Sequence, residues 1–562
     1  MKFKDFQYER PNIEEIIKKL EEVTTKLDSC NCFEDVKKIN DEVEKISNEY
    51  ETQATLCSIR NSIDTTDEFY EKETEFFDEN GPVVANAFTN YSKKLLSLPY
   101  KEELKATYTD QYVVLNEIGL KTFDERIMEE LVEEAKLCTE YSKVVASAKI
   151  EFDGKINNLS QMGVYANNPN REIRKAAALK VAEFMESIES KLDDIYDKLV
   201  KVRTKMAKKM GYDNYVDFGY LRLSRSDYNS KDVAKYRKQV LEEIVPIASK
   251  IIKQQANRIN IEDIKIYDLP MFYLDGNPDH KKNKEQLVNS ASQFYSSLSK
   301  ETKEFFDFMQ EHDLMDLETK TGKAGGGYCT MIPKYNAPFI FSNFNGTMGD
   351  VDVLTHEAGH AFEVFTASRL LPATSVFWPT LEACEIHSMS MEFFAYPYMN
   401  LFFDEDHKKY RFKHLSEAIL FIPYGVCVDE FQHFVYENPE ATPKMRKDKW
   451  HELEQKYTPW KDYDGIEYYL RGSYWHRQGH IFSNAFYYID YTLAQVCAFQ
   501  FFLLDIENHE NAWKKYHDLC KLGGSKSFVN LLNAVGLKNP FEEGSLKTIM
   551  PKLEEILEKL SV

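Results

Sequence analysis

The chain has 562 residues, enough to bury a large core and to make roughly three or four domain-sized units. Its formal charge of −21 (71 Lys and Arg against 92 Asp and Glu) argues against a nucleic-acid partner, because phosphates would be repelled. Scarce Gly (22) and Pro (18) beside 34 Tyr and 37 Phe point to a mostly helical, aromatic-rich protein.

No run of about 18 apolar residues occurs, so no membrane-crossing helix and no membrane partner is expected. The start, MKFKDFQYERPN, carries no apolar leader core. The nine cysteines are scattered, and the one close pair, Cys30 and Cys32, lacks the spacing of a zinc ribbon. Reduced thiols in a cytoplasmic protein are the expectation.

Ile13, Ile16, Ile17 and Leu20, then Val36, Ile39, Val43 and Ile46, follow helical periodicity with a break at Ser29–Asn31, which predicts a helical hairpin. Amphipathic segments near 68–79, 84–97, 125–152 and 170–210 extend a helical N-terminal lobe, 1–200, in which no chemistry is visible. The catalytic region is placed at 201–562. It opens on the aromatic stretch 211–228, where Arg222 and Arg225 read as packing and ion-pairing residues. Helix returns at 230–260, and 264–280 reads as a short strand and a loop. From 320 the texture changes: Gly325–Gly327 precede two β-rich pieces, about Gly327–Ile332 and Phe339–Phe344. No Lys-Ser or Lys-Thr follows the glycines, so they are not a phosphate-binding loop. The second strand, with Phe341 and Asn343, is a candidate edge for an extended peptide.

Thr347-x-x-Asp350 looks like a capping box opening a helix. That helix carries His356-Glu357-Ala358-Gly359-His360. Imidazoles four apart share one helix face and can hold one Zn²⁺, while a carboxylate one residue after the first His can reach a water without ligating the metal. With 13 His and 92 acidic residues in 562, about 0.05 such His-acid-x-x-His patterns are expected by chance. A catalytic zinc needs a third ligand and an open position. A third His soon after the motif is excluded, because the positions it requires hold Glu363 and Thr366. The next helix, WPTLEACEIHSMSMEFFAYP, offers Glu382, Glu385 and Glu392, and helix geometry alone does not choose among them. His387, His414, His433 and His451 have no partner spacing and are read as structural.

His356-Glu357-x-x-His360 followed by Glu385-x-x-Ser388-x-x-x-Glu392 resembles the thimet oligopeptidase and oligoendopeptidase F family of zinc metallopeptidases, particularly the bacterial Pz-peptidase-like members. FKDFQYERP, FIFSNFNGT and FQHFVYENPE add to the likeness. The resemblance implies Glu385 as third ligand to one Zn²⁺ per chain, with Glu392 and Asp352 orienting ligands. It also implies a mostly helical, two-lobed bowl with a deep substrate channel and a small β-sheet next to the zinc helix. The later stretch GSYWHRQGHIFSNAFYYIDYTLAQ then supplies the far wall of the cleft: His480, Tyr491 and Tyr488 as catalytic donors, His476 and Tyr487 as substrate contacts. The expected activity is endopeptidase cleavage of short unfolded oligopeptides with Glu357 as general base. A dipeptidyl carboxypeptidase on the same site, with Arg471 or Arg477 holding the substrate carboxylate, is the alternative. The oligomeric state is left open.

Overall fold

The computed structural model describes residues 1–320 and 322–561. The protein is mostly helical with two small sheets. The hairpin of Ile13–Lys26 and Phe33–Ile63 forms as expected, its break a 3-10 turn at Leu27–Ser29. Segments 68–79 and 84–97 turn out to be one helix, Glu68–Leu96, capped by the Asp67 carboxylate and continuous through Pro82. These helices bury their apolar stripes (Leu20, Val36, Tyr91, Leu95) in a core of their own, which Ala373 and Val376 join.

The short strand expected within 264–280 is absent: Ile266–Asp268 is a 3-10 turn. Asp268 explains it. Its carboxylate is fully buried and bound by Arg171 and Arg174 from the long helix Arg171–Lys209, both at 2.7 Å, and an alternating strand would have turned it elsewhere. Arg222 pairs with Glu134 at 2.8 Å and Arg225 with Asp490 at 2.5 Å, the packing role expected of them.

The larger sheet has three strands, in the spatial order Met315–Glu318, Ala337–Phe344, Tyr328–Ile332. Ala337–Phe344 lies in the middle, parallel to the first and antiparallel to the last, with Tyr328 opposite Phe341 and Ile332 opposite Ala337. Both of its edges are therefore taken, and it cannot accept a peptide strand. The edges are Met315–Glu318 and Tyr328–Ile332, and the second begins beside Glu357. The helix Tyr488–Glu507 is long and apolar enough to cross a membrane (mean hydropathy 1.3), but 72% of its most apolar 18-residue stretch is buried inside the protein. All nine cysteines are free.

Candidate metal and catalytic site

Three helices build the site: Gly349–Ala367 with the His pair, Leu381–Phe394 with Glu385, and Tyr488–Glu507 behind them. The first begins without the expected capping box. Asp350 instead accepts from the backbone N–H groups of Asn345 and Gly346, both at 2.9 Å, and Thr347 bonds the Asn345 side chain. This ties the strand Ala337–Phe344 directly to the helix start.

The His and Glu helices touch backbone to backbone at Gly359. A Cβ there would stand 2.7 Å from the His387 carbonyl oxygen and 2.7 Å from the Ser388 Cα, so only glycine allows the approach. That approach carries Glu385 to the histidines. One oxygen, Oε2, lies 3.2 Å from His356 Nε2 and 3.4 Å from His360 Nε2, and the ligand atoms of the three residues lie within 4.8 Å of one another. Two imidazoles and a carboxylate converging on one point, with the rings 5.0 Å apart, are a donor set suited to Zn²⁺. Burial alone would raise the Glu385 pKa, but the two imidazoles outweigh it and hold the carboxyl well below its usual range.

The outer oxygen of Glu385 is fixed by Tyr487, whose hydroxyl donates to Oε1 at 2.9 Å, and Ser388 donates to Oε2 at 3.0 Å. His356 is fixed from behind: its Nδ1 bonds Glu392 at 2.6 Å, leaving Nε2 to face the triad. Against burial, the bonds to His356 and His414 hold Glu392 at about 2. Glu357 is only 7% exposed and has no hydrogen-bond partner among the described residues. Burial lifts its pKa above the ordinary value despite the nearby histidines. A Cβ on Gly327, just before the edge strand, would come 3.5 Å from Glu357 Oε1, so the free carboxylate faces the start of that edge.

Opposite stands an aromatic wall. His480 is ringed by Tyr488, Tyr491 and Tyr487, with centroids at 5.1, 5.6 and 5.7 Å. Its Nε2 lies 3.3 Å from the Tyr491 hydroxyl and its Nδ1 2.8 Å from Gln478. Burial keeps the ring's pKa below its usual value. Tyr488 packs against Phe421 and Tyr424 and supports this wall.

A family profile described as "Peptidase family M3" matches residues 164–551, and one described as "Peptidase M3 N-terminal domain" matches residues 3–123. The chain belongs to peptidase family M3. This M3 chain is 22% identical over 427 residues to Oligopeptidase PepF of Bacillus subtilis (strain 168); the match covers 70% of the chain and 59% of that relative's length. Among solved structures, "PZ peptidase A with inhibitor 2" is similar at 49% identity and a TM-score of 0.96, covering 99% of both chains. A Bacillus anthracis str. Ames protein described as an oligoendopeptidase F is similar at 47% identity and a TM-score of 0.92, covering 100% of this chain and 99% of that one. The resemblance read from the motifs is thereby borne out.

Several residues of the M3 site stand elsewhere than the sequence-based expectation put them, Tyr487 on Glu385 and Tyr488 in the packing of the wall among them. His476 is not a substrate contact: it is fully buried, bonded to Asp193 at 3.0 Å and Tyr468 at 3.1 Å. Phe341 is also fully buried, stacked on Tyr328 at 4.8 Å in the sheet. The Asn343 amide N–H group donates to the carbonyls of Ala324 and Gly326 at 2.8 Å each and so shapes the glycine loop. Asp352 bonds neither His356 nor His360; Tyr410 holds it at 2.5 Å, and burial lifts it to about 6. His414, read as structural, lies behind the triad instead, 2.7 Å from Glu392 and 2.8 Å from the Tyr396 hydroxyl. It comes from the helix His407–Glu437, and no spacing in the sequence marks it. Glu382 is buried beside Arg225 and takes no part in the triad.

Glu392→Ala removes the partner of two histidines at once. We expect it to weaken zinc binding by about 10–100-fold, measured by competition with a chromophoric chelator. Wild-type affinity in the variant would show that Glu392 does not hold His356 in place.

Proposed function

We propose that this M3 chain is a zinc-dependent endopeptidase acting on short, unfolded oligopeptides. The observation that carries the reading is the convergence of His356, His360 and Glu385 beside the unpartnered Glu357 carboxylate, at the start of a sheet edge. Bound by the three ligands, one per chain, Zn²⁺ supplies Lewis acidity, acidifying water and polarising the scissile carbonyl. The residues of the chain do the rest. Glu357 takes the proton from the attacking water and returns it to the leaving amine. Its raised pKa makes the carboxylate a stronger base toward the water than an ordinary glutamate. Tyr491 and His480 donate to the oxyanion that develops on the carbonyl. Tyr487 holds Glu385 in its ligating orientation. The edge Tyr328–Ile332 offers free backbone groups to an extended substrate, and main-chain pairing of that kind selects unfolded peptides.

A deep channel between two lobes would exclude folded proteins, and a cytoplasmic location fits the free thiols. Arg471 is bound by Glu186 and Glu189 at 2.5 and 2.6 Å, which removes it as a free anchor for a carboxypeptidase reading. The test is a fluorogenic peptide blocked at both ends. We expect hydrolysis that a chelator abolishes and added Zn²⁺ restores. Turnover that persists without metal would refute the zinc reading, and cleavage restricted to peptides with a free C-terminus would replace endopeptidase with exopeptidase.

A further inference from the structure

One cation stands on the aromatic wall without a counter-charge. Tyr474–Arg477 is a single 3-10 turn whose middle residues, Trp475 and His476, are fully buried. Tyr474 and Arg477, three apart and eclipsed on such a turn, face the other way, and Arg477 is exposed. The guanidinium carbon lies 4.9 Å from the Tyr474 ring centre, and Nη1 donates to the Tyr474 hydroxyl at 2.9 Å. Aromatic contacts lead from there to the metal site: Tyr474 to Tyr424 at 6.5 Å, Tyr424 to Tyr488 at 5.9 Å, Tyr488 to His480 at 5.1 Å. Gln478, the next residue, bridges the same two sides by bonding the Tyr424 hydroxyl at 3.1 Å and His480 at 2.8 Å. Arg477 and His480 therefore share one wall.

The neighbouring cations are neutralised. Lys461 also lies over Tyr424 and Tyr474, but Glu454 meets it at 3.2 Å. Arg471 carries two glutamates. Arg477 donates to the Tyr474 hydroxyl and lies over that ring, and among the described residues it forms no ion pair. In a chain of net charge −21 this is an isolated positive point with most of its N–H donors unused. A guanidinium laid against an aromatic ring keeps its plane, and the free edge of that plane matches the two oxygens of a carboxylate.

We propose that Arg477 is a specificity-determining residue that pairs with a carboxylate of the bound peptide, either the C-terminus or an acidic side chain. This deepens the peptidase reading and rests on it. The test uses matched peptides with wild type and R477Q. One series compares free acid with amide at the C-terminus; the other compares Glu with Gln, moved position by position along the peptide. In wild type one series should show a preference for the carboxylate of about tenfold in kcat/KM, expressed in KM, and in R477Q the ratio should fall to about one. The series that shows it names the source. Equal rates in both series with wild type, or a preference that R477Q keeps, overturn the proposal. Fluorescence anisotropy of the same peptides on Glu357→Gln gives the comparison without turnover. Absent hydrolysis would thus count against the peptidase reading, while the binding ratio still decides Arg477; should R477Q fail to fold, Arg477→Lys, which keeps the charge but not the fork, must lose part of the preference.

Discussion

Glu357→Gln is expected to lower kcat/KM by about 10²–10⁴-fold while the chain still binds one zinc. The substitution keeps the shape and removes the base. Glu357 is buried, belongs to none of the three converging ligands, and its carboxylate has no hydrogen bond among the described residues, so neither the fold nor the metal triad depends on its charge. What it supplies is a proton acceptor at the one point where the metal triad and the sheet edge meet. Glutamine accepts no proton at any working pH, so the loss should appear in kcat, with KM and zinc stoichiometry little changed. The measurement is a pair of assays on one preparation: peptide turnover and metal content. Turnover within tenfold of wild type would sink the general-base role. Lost zinc would instead place Glu357 among the ligands.

What was legible in the sequence was the local pattern. His356, Glu357 and His360 lie within five residues, and a helix's own geometry sets their common face, so no knowledge of tertiary structure is needed to read them. The helical content was equally plain, because it follows from periodicity and the scarcity of breakers. Choosing Glu385 over Glu382 needed the family resemblance, since two residues three apart on one helix differ only in which neighbour they face; the fold buries Glu382 away from the triad and turns Glu385 to the histidines. The errors share a cause. Strand order decides whether Ala337–Phe344 is an edge, and a sequence does not state strand order. His476 and His414 exchange their expected standing because each is defined by a partner far away along the chain, Asp193 for one and Glu392 for the other. A histidine four residues from another announces itself; one that meets a carboxylate across helices does not.

Gly359→Ala should damage the fold and the metal triad together. Inside a helix, Ala for Gly is ordinarily stabilising by about 0.5–1 kcal/mol, because it restricts the unfolded chain without clashing. Here the sign reverses. The added methyl meets the His387 carbonyl oxygen and the Ser388 Cα at 2.7 Å and the Met391 Cβ at 3.0 Å. The first two are backbone of the neighbouring helix, which no rotamer change can move aside, so the helices must separate. Overpacking of a rigid core costs about 1–3 kcal/mol, and the lost intrinsic gain adds to the contrast. Separation also acts on the site, because Ser388 sits one turn from Glu385 and bonds its carboxylate. Moving that helix back draws the third ligand from the two histidines on the facing helix. Gly359→Ala is therefore expected to lower the melting temperature and the zinc affinity together, whereas Glu357→Gln lowers neither. Gly325→Ala, where a Cβ meets nothing within 4 Å, is the control for a harmless methyl. If Gly359→Ala melted and bound zinc like wild type, the backbone contact between the two helices would not be what sets the ligand geometry.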